Sequence, residues 1–266
     1  MYRKMKYLKQ LLKPLTHHKY LLLQLTQREI KARYKQSFIG YAWVLLNPLA
    51  QMLVYSFIFS VIFRFPTNDI PYPVYLFAAL LPWTNFQNIL SYSANALVAN
   101  AILLRKVAFP REIIIYSVVI SKVIDFLFSS LVFFGLVLFF KVPLAMTLFM
   151  FIPFFILQTL LVTGLSLLLS AFNLFFRDVQ YLTNLLLMMW MYMTPIVYPL
   201  SMVPTRYVKF YKLNPMVGIV EGYRSALFGY PFEWGIIAWS TFWSVATFLI
   251  GFLVFKKLEK YFADIV

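Results

Sequence analysis

The sequence predicts an all-α polytopic membrane protein, and two observations carry that prediction. The first is composition: 62% of the 266 residues are hydrophobic and only 12% charged, with a mean hydropathy of +0.77. A soluble domain carries about a quarter charged residues. The second is the placement of the charges, which cluster between charge-free intervals long enough for the roughly twenty apolar residues of a spanning helix. Lipid offers backbone amides no partner, so only helices or closed barrels cross it. Strand-type alternation is absent from these intervals, which leaves helices.

The first expected element is an N-terminal amphipathic interfacial helix over 16-39. Arg28, Lys31 and Lys35, with Glu29 and Arg33 beside them, leave Leu23, Ile30, Tyr34 and Phe38 at helical spacing on another face. Such a helix lies in the headgroup plane. From Ser37 no charge follows until Arg64, so the chain then enters the membrane. Six transmembrane helices are expected, at 41-63, 73-99, 113-139, 147-172, 180-199 and 235-255. No cleavable signal peptide is expected, and the first span serves as its own insertion signal. Before the last span, 204-230 is too polar and proline-broken to be one span, yet too apolar and aromatic for a free loop. A re-entrant helical hairpin fits, turning at Asn214-Pro215 and returning over Val217 to Phe228. An interfacial loop in an aromatic belt fits the same composition. No extramembrane stretch is large enough for a second domain, so residues 1-266 read as one domain.

Counting cations sets the orientation. With the N-terminus in the cytoplasm, seventeen of the 24 Lys and Arg residues lie inside, six lie outside, and Lys122 falls within a span. This positive-inside bias places both termini in the cytoplasm. The formal charge of +15 is then mostly a topology signal and not a nucleic-acid footprint.

Three features depart from plain spanning helices. Arg105, Lys106 and Arg111, with Leu103, Leu104 and Phe109, make a small two-faced turn between the second and third spans. Pro110 and Glu112 there suit the first turn of a helix. Positive-inside charge and a docking element both explain the turn. Lys122 and Asp125 share one face of the third span at i and i+3 and can neutralise each other. A structural pair and a proton-coupling site are both open for them. The aromatics are abundant, 29 Phe, 18 Tyr and 6 Trp. Trp43 and Tyr55 in the first span, and Trp190, Tyr192 and Tyr198 in the fifth, are candidates to line a carbohydrate path, since Tyr and Trp combine an apolar face with a polar tip. Core packing also suits each of them.

Enzyme chemistry finds little material. The two histidines, His17 and His18, are adjacent in the basic N-terminal segment, and no nucleophile motif, paired carboxylates or cysteine occurs. There is no GxxxxGK[ST] loop, so the chain has no phosphate-binding loop for ATP. No metal site is expected.

RYKQSFIGYAWVLLNP entering the first span, LLRKVAFPRE between spans two and three, NLFFRDVQY after span four and LNPMVGIVEGYRSALFG before span six occur in that order. In this the chain resembles the permease subunit of ABC-2 type polysaccharide exporters over nearly its whole length from about Leu21. The resemblance implies a homodimeric six-span permease in the cytoplasmic (inner) membrane, working with two copies of a separate ABC ATPase. ATP and Mg would bind that partner, with no cofactor on this chain. It further implies that Arg28, Glu29, Lys31 and Arg33 of the surface helix, and Arg105, Lys106, Phe109, Pro110, Arg111 and Glu112 of the turn, contact the ATPase. The re-entrant segment would shape the exit. The implied cargo is a lipid-linked polysaccharide of the O-antigen (lipopolysaccharide) type, with teichoic acid or capsule export as the alternative. From another class, an ATP-independent channel or secondary transporter would use Lys122 and Asp125.

Overall fold

The structure, a computed structural model, describes residues 18–35, 37–63 and 70–265. Thr16 and His17 at the start of the expected surface helix, the cations before residue 14, and Arg64 lie outside the described residues. No strand occurs among the described residues; every regular element is helical.

Helix α1 (Lys19–Tyr34) packs on helix α5 (Glu112–Phe139). At about 100° per residue, Leu22, Thr26, Glu29 and Arg33 fall on one stripe. Leu22, Thr26 and neighbouring Leu25 are buried. Leu23, on the apolar face read from spacing, is 58% exposed, and Phe38 is fully exposed. Ile30 of the same face is half-buried, and the residues that pack lie about a quarter-turn from Leu23. Gly40, at φ +61°, then turns the chain into α2 (Trp43–Ser56). A π-helical turn at Phe57–Ile62 extends α2 to the expected length.

Helix α3 (Tyr72–Ala99) is the hub and packs against α2, α5, α6 (Phe151–Phe175), α7 (Val179–Tyr192) and α9 (Pro215–Phe228). Most of α3 is buried, Trp83 and Phe86 completely. Buried amides tie the hub together: Asn85 Nδ2 donates to Lys122 O at 2.8 Å, while Gln158 Nε2 donates to Asn85 Oδ1 at 3.1 Å and Pro82 O at 3.0 Å. The short α4 (Ala101–Lys106) follows α3 and precedes α5. Helix α10 (Trp234–Leu258) lies along α6 with the two backbones nearly touching. A Cβ on Gly251 would overlap the Gly164 carbonyl, and one on Gly164 would come within 2.6 Å of Phe248 Cα. Glycine is needed at both positions for this approach.

Among the described residues, two apolar cores result. The larger joins α3, α5, α6 and α9. The smaller sits at what we term the basal end, where Leu22, Leu97, Leu104, Ile113, Leu174 and Phe255 meet Phe262 of the C-terminal turn α11 (Phe262–Ile265).

Among the described residues, four helices are long and apolar enough to cross a membrane: Gly40–Ser60, Glu112–Phe139, Met146–Phe175 and Trp234–Tyr261. The six expected spans are thus met by four on these terms. Helix α3 is long and carries no charge, but it is rich in Tyr, Asn, Gln and Ser. Surrounded by protein, it does not need lipid-grade hydropathy. Helix α7 stops at Tyr192 instead of 199, because Thr194 precedes Pro195 and the pre-proline position disfavours helix. The 204-230 segment forms α8 (Thr205–Leu213), which buries no residue, and α9, which is buried along most of its length. They join at Asn214, whose side chain accepts from Met216 N at 3.0 Å to cap α9.

Candidate functional site

A polar cleft of about 430 Å³ opens between α2, α3 and α5, beside the C-terminal end of α1. Its centre is Asp125. One carboxylate oxygen, Oδ2, pairs with Arg33 and with Lys122 Nζ at 3.5 Å; the other, Oδ1, accepts from Tyr41 OH at 2.9 Å. Arg33 also donates to Ser121 Oγ at 3.0 Å and Glu29 O at 3.1 Å. Lys122 Nζ sits 3.7 Å from the centre of the Tyr92 ring, a cation–π contact. All three charged side chains are nearly buried, with exposures of 11% for Arg33, 7% for Lys122 and 13% for Asp125. Two cations therefore share one carboxylate.

The i, i+3 pairing of Lys122 with Asp125 is present, but it is half of the cluster. Arg33, expected beside Arg28 and Lys31 as a handle for a soluble partner, instead turns inward. Its place on the α1 stripe that faces α5 puts its guanidinium against Ser121 and Asp125. Arg28 and Lys31 remain exposed, Arg28 bonding to Glu29 at 3.3 Å and to Asn100.

The second polar constellation is the basal turn. Arg105 and Lys106 are exposed, as expected of a docking element. Leu104 is buried, and Leu103 and Phe109 pack on the basal core, so the outward apolar residues are instead Ile102 and Val107, 72% and 49% exposed. Arg111 and Glu112 are occupied within the chain. Arg111 Nη1 donates to Glu259 O at 2.8 Å, and its backbone N–H donates to Glu259 Oε1 at 3.0 Å. Glu112, fully buried at the first turn of α5, pairs with Lys256 at 2.7 Å, and Lys256 bridges on to Glu259 at 2.9 Å. This network fastens the end of α10 to the start of α5, and it leaves Glu112 out of reach of a partner. Pro110, half-buried, leads directly into it.

The aromatic candidates separate. Trp43 stands at the cleft mouth, 42% exposed, and Tyr192 is 59% exposed within electrostatic reach of the half-buried Tyr55. Trp190 is half-buried: its Nε1 donates to Asn214 Oδ1 at 2.8 Å and its ring lies edge-on to Phe86 at 5.3 Å. Tyr198 is likewise tied down, its hydroxyl within 2.5 Å of Tyr192 O and 2.9 Å of Tyr211 OH.

Arg224, one of the six cations counted on the outer side from sequence, is not a surface group. It is completely buried, with Nη1 2.6 Å from Pro195 O, Nη2 2.7 Å from Ile196 O, and Glu221 at 2.8 Å. Tyr75 lies under its guanidinium at 3.9 Å. Glu221 and Arg224 repeat the i, i+3 opposite-charge spacing of Lys122 and Asp125, which is the signal that marks them. Among the described residues, no three His, Asp or Glu side chains gather as metal ligands.

Residues 20–228 match the family model described as ABC-2 type transporter. The chain is 34% identical over 221 residues to an O-antigen export system permease protein of Myxococcus xanthus, covering 82% of this chain and 84% of the relative. It is 30% identical over 247 residues to an O-antigen export system permease protein of Klebsiella pneumoniae, covering 92% and 95%. A polysialic acid transport protein of Escherichia coli is 26% identical over 247 residues, covering 88% and 91%.

Proposed function

The chain belongs to the ABC-2 type transporter family, and from that membership we propose that it is the membrane permease of an ATP-driven exporter that moves a lipid-linked polysaccharide of the O-antigen type outward across the cytoplasmic membrane. The observation that carries this reading is similarity to O-antigen export permeases across 84 to 95% of their length. Capsule export is the neighbouring alternative, through the relative named for polysialic acid transport.

In this reading the permease is a non-catalytic subunit. It works as a homodimer with two copies of an ABC ATPase that binds ATP and Mg. The basal end faces the cytoplasm with both termini, α3 and α7 complete six spans, and α8 with α9 forms the re-entrant pair near the exit. The basal turn supplies the ATPase handle: Arg105 and Lys106 offer charge, and Ile102 and Val107 offer apolar contact, on a base fixed by the Glu112–Lys256–Glu259 network. Exposed Arg28 and Lys31 of α1 add a second surface. Trp43, Tyr55 and Tyr192 are the aromatics left available to a glycan path.

Copurification with a partner ABC ATPase, followed by deletion of the permease, tests this. The expected result is a stable complex and a lipid-linked glycan accumulating on the cytoplasmic leaflet of the deletion strain. Replacing Arg105 and Val107 together is expected to leave the ATPase hydrolysing ATP without export. Transport by the permease alone in proteoliposomes, with loss on Asp125→Asn, would instead establish the ATP-independent transporter.

A further inference from the structure

The cleft holds more polar chemistry than its own ion cluster uses. Helix α2 presents Asn47 and Gln51 to it at i and i+4, and α3 presents Gln87 and Asn88. No hydrogen bond within the chain engages any of these four amides among the described residues. Asn47, Gln51 and Asn88 are exposed and Gln87 half-buried, so their amides are open to the cavity, and four on facing walls favour a polar occupant.

The cleft lies at the level where the first span begins. Ser129 Oγ donates to the carbonyl of Val44 at 3.2 Å, so the first turn of α2 abuts α5 one turn beyond Asp125. Half-exposed Trp43 stands at the mouth, the residue type that seats at the headgroup boundary. This is the depth of lipid phosphates. The outer face of α2, with Leu46, Leu53 and Phe57 exposed, gives the cleft an apolar flank for a lipid tail.

The charge selects an anion. Among the described residues that line the cleft, Arg33 from α1 and Lys122 from α5 carry two positive charges against one carboxylate, Asp125, an excess of one; α2 and α3 contribute only neutral groups. Glu29 on α1, within electrostatic reach of Lys122, pairs with Arg28 at 3.3 Å, so that pair leaves the balance unchanged. A phosphate placed against Lys122 would take up that excess through charge-assisted hydrogen bonds, while the amides would serve its remaining oxygens or the hydroxyls of an adjoining sugar.

We propose that the cleft between α2, α3 and α5 binds a lipid-borne phosphate, held by Lys122 and Arg33 with Asn47, Gln51 and Asn88 as the amide wall. Applied to the exporter reading, on which this last step rests, the group is the phosphate or diphosphate that joins a glycan to its lipid carrier.

The test is ligand binding by the full-length chain in phosphatidylcholine nanodiscs, titrated with farnesyl diphosphate, farnesol and phosphatidylglycerol. Farnesyl diphosphate is expected to bind saturably and farnesol not. Lys122→Met should weaken binding at least about tenfold, the effect of losing one charge-assisted contact. Lys122→Arg should restore it, and Lys209→Met, at an exposed site elsewhere, should change nothing. Gln51→Leu provides an arm that leaves the ion cluster intact and should also weaken binding, so failure of Lys122→Met to fold would not shelter the proposal. Tighter binding of farnesyl diphosphate than phosphatidylglycerol assigns the site to the carrier; equal binding overturns the carrier assignment and leaves an ordinary phospholipid site. Equal affinity of wild type, Lys122→Met and Gln51→Leu overturns the site itself. Binding needs no ATPase, so a chain that binds but does not export refutes the exporter reading alone. Export with binding indifferent to Lys122 refutes the site alone.

Discussion

Replacing Arg224 by Met should loosen the junction between the segment after α7 and helix α9. Arg224 is completely buried and is the common partner of Pro195 O, Ile196 O and Glu221 at 2.6 to 2.8 Å. Met fills similar space but leaves two carbonyls and a carboxylate without their donor. Breaking a buried charged pair costs about 3–5 kcal/mol, consistent with about 1.5–3 kcal/mol for each hydrogen bond to a charged group. With about 2–4 °C per kcal/mol for a chain of this size, the unfolding midpoint should fall by about 6–20 °C. The assay is thermal unfolding of the detergent-purified chain followed by tryptophan fluorescence. Arg224→Lys should fall between wild type and Met, because an ammonium cannot reach both carbonyls with a planar fork. Glu221→Gln, at a partly exposed position, should have a smaller effect, since Arg224 keeps both carbonyls. A Met variant melting within about 2 °C of wild type would refute the view that this guanidinium holds the junction.

At the α6–α10 contact, Gly251→Ala should cost about 1–3 kcal/mol by overpacking, because the new Cβ meets the Gly164 carbonyl. Gly135→Ala, whose Cβ would meet nothing within 4 Å, should instead gain about 0.5–1 kcal/mol from helix propensity. The two unfolding midpoints should move in opposite directions, and movement in the same direction would refute the close-approach argument. Trp190→Phe keeps the ring against Phe86 but loses the bond to Asn214, costing about 1 kcal/mol, whereas Trp190→Ala should cost about 3–5 kcal/mol. Equal melting of wild type and Trp190→Ala, with loss of export, would return Trp190 to the glycan path.

The helical fold was legible because composition and charge-free length are properties of short windows. The α8–α9 break was legible for the same reason, since Asn214-Pro215 caps a helix through atoms two residues away. The Lys122–Asp125 pair was legible from its spacing. What charge-free length did not show is that α3 is more polar than the other long helices, which it can afford because five helices surround it. The outward apolar residues of the basal turn escaped too: Ile102 differs from Leu103 and Leu104 only in which way a six-residue helix is rotated on the basal core, and Val107 is the extended residue that follows it.

By itself the sequence determined the all-helical membrane class, the apolar segments, the turn rich in cations and one opposite-charge pair. Each follows from residues within a few turns of one another. Only the tertiary structure decided which cations are withdrawn from the surface. Arg33 meets an aspartate 92 positions away, and Arg224 meets carbonyls 28 and 29 positions away. Helical period says that a cation has a face; the desolvated partner across the packed interface decides whether that face holds an internal charge or greets a ligand.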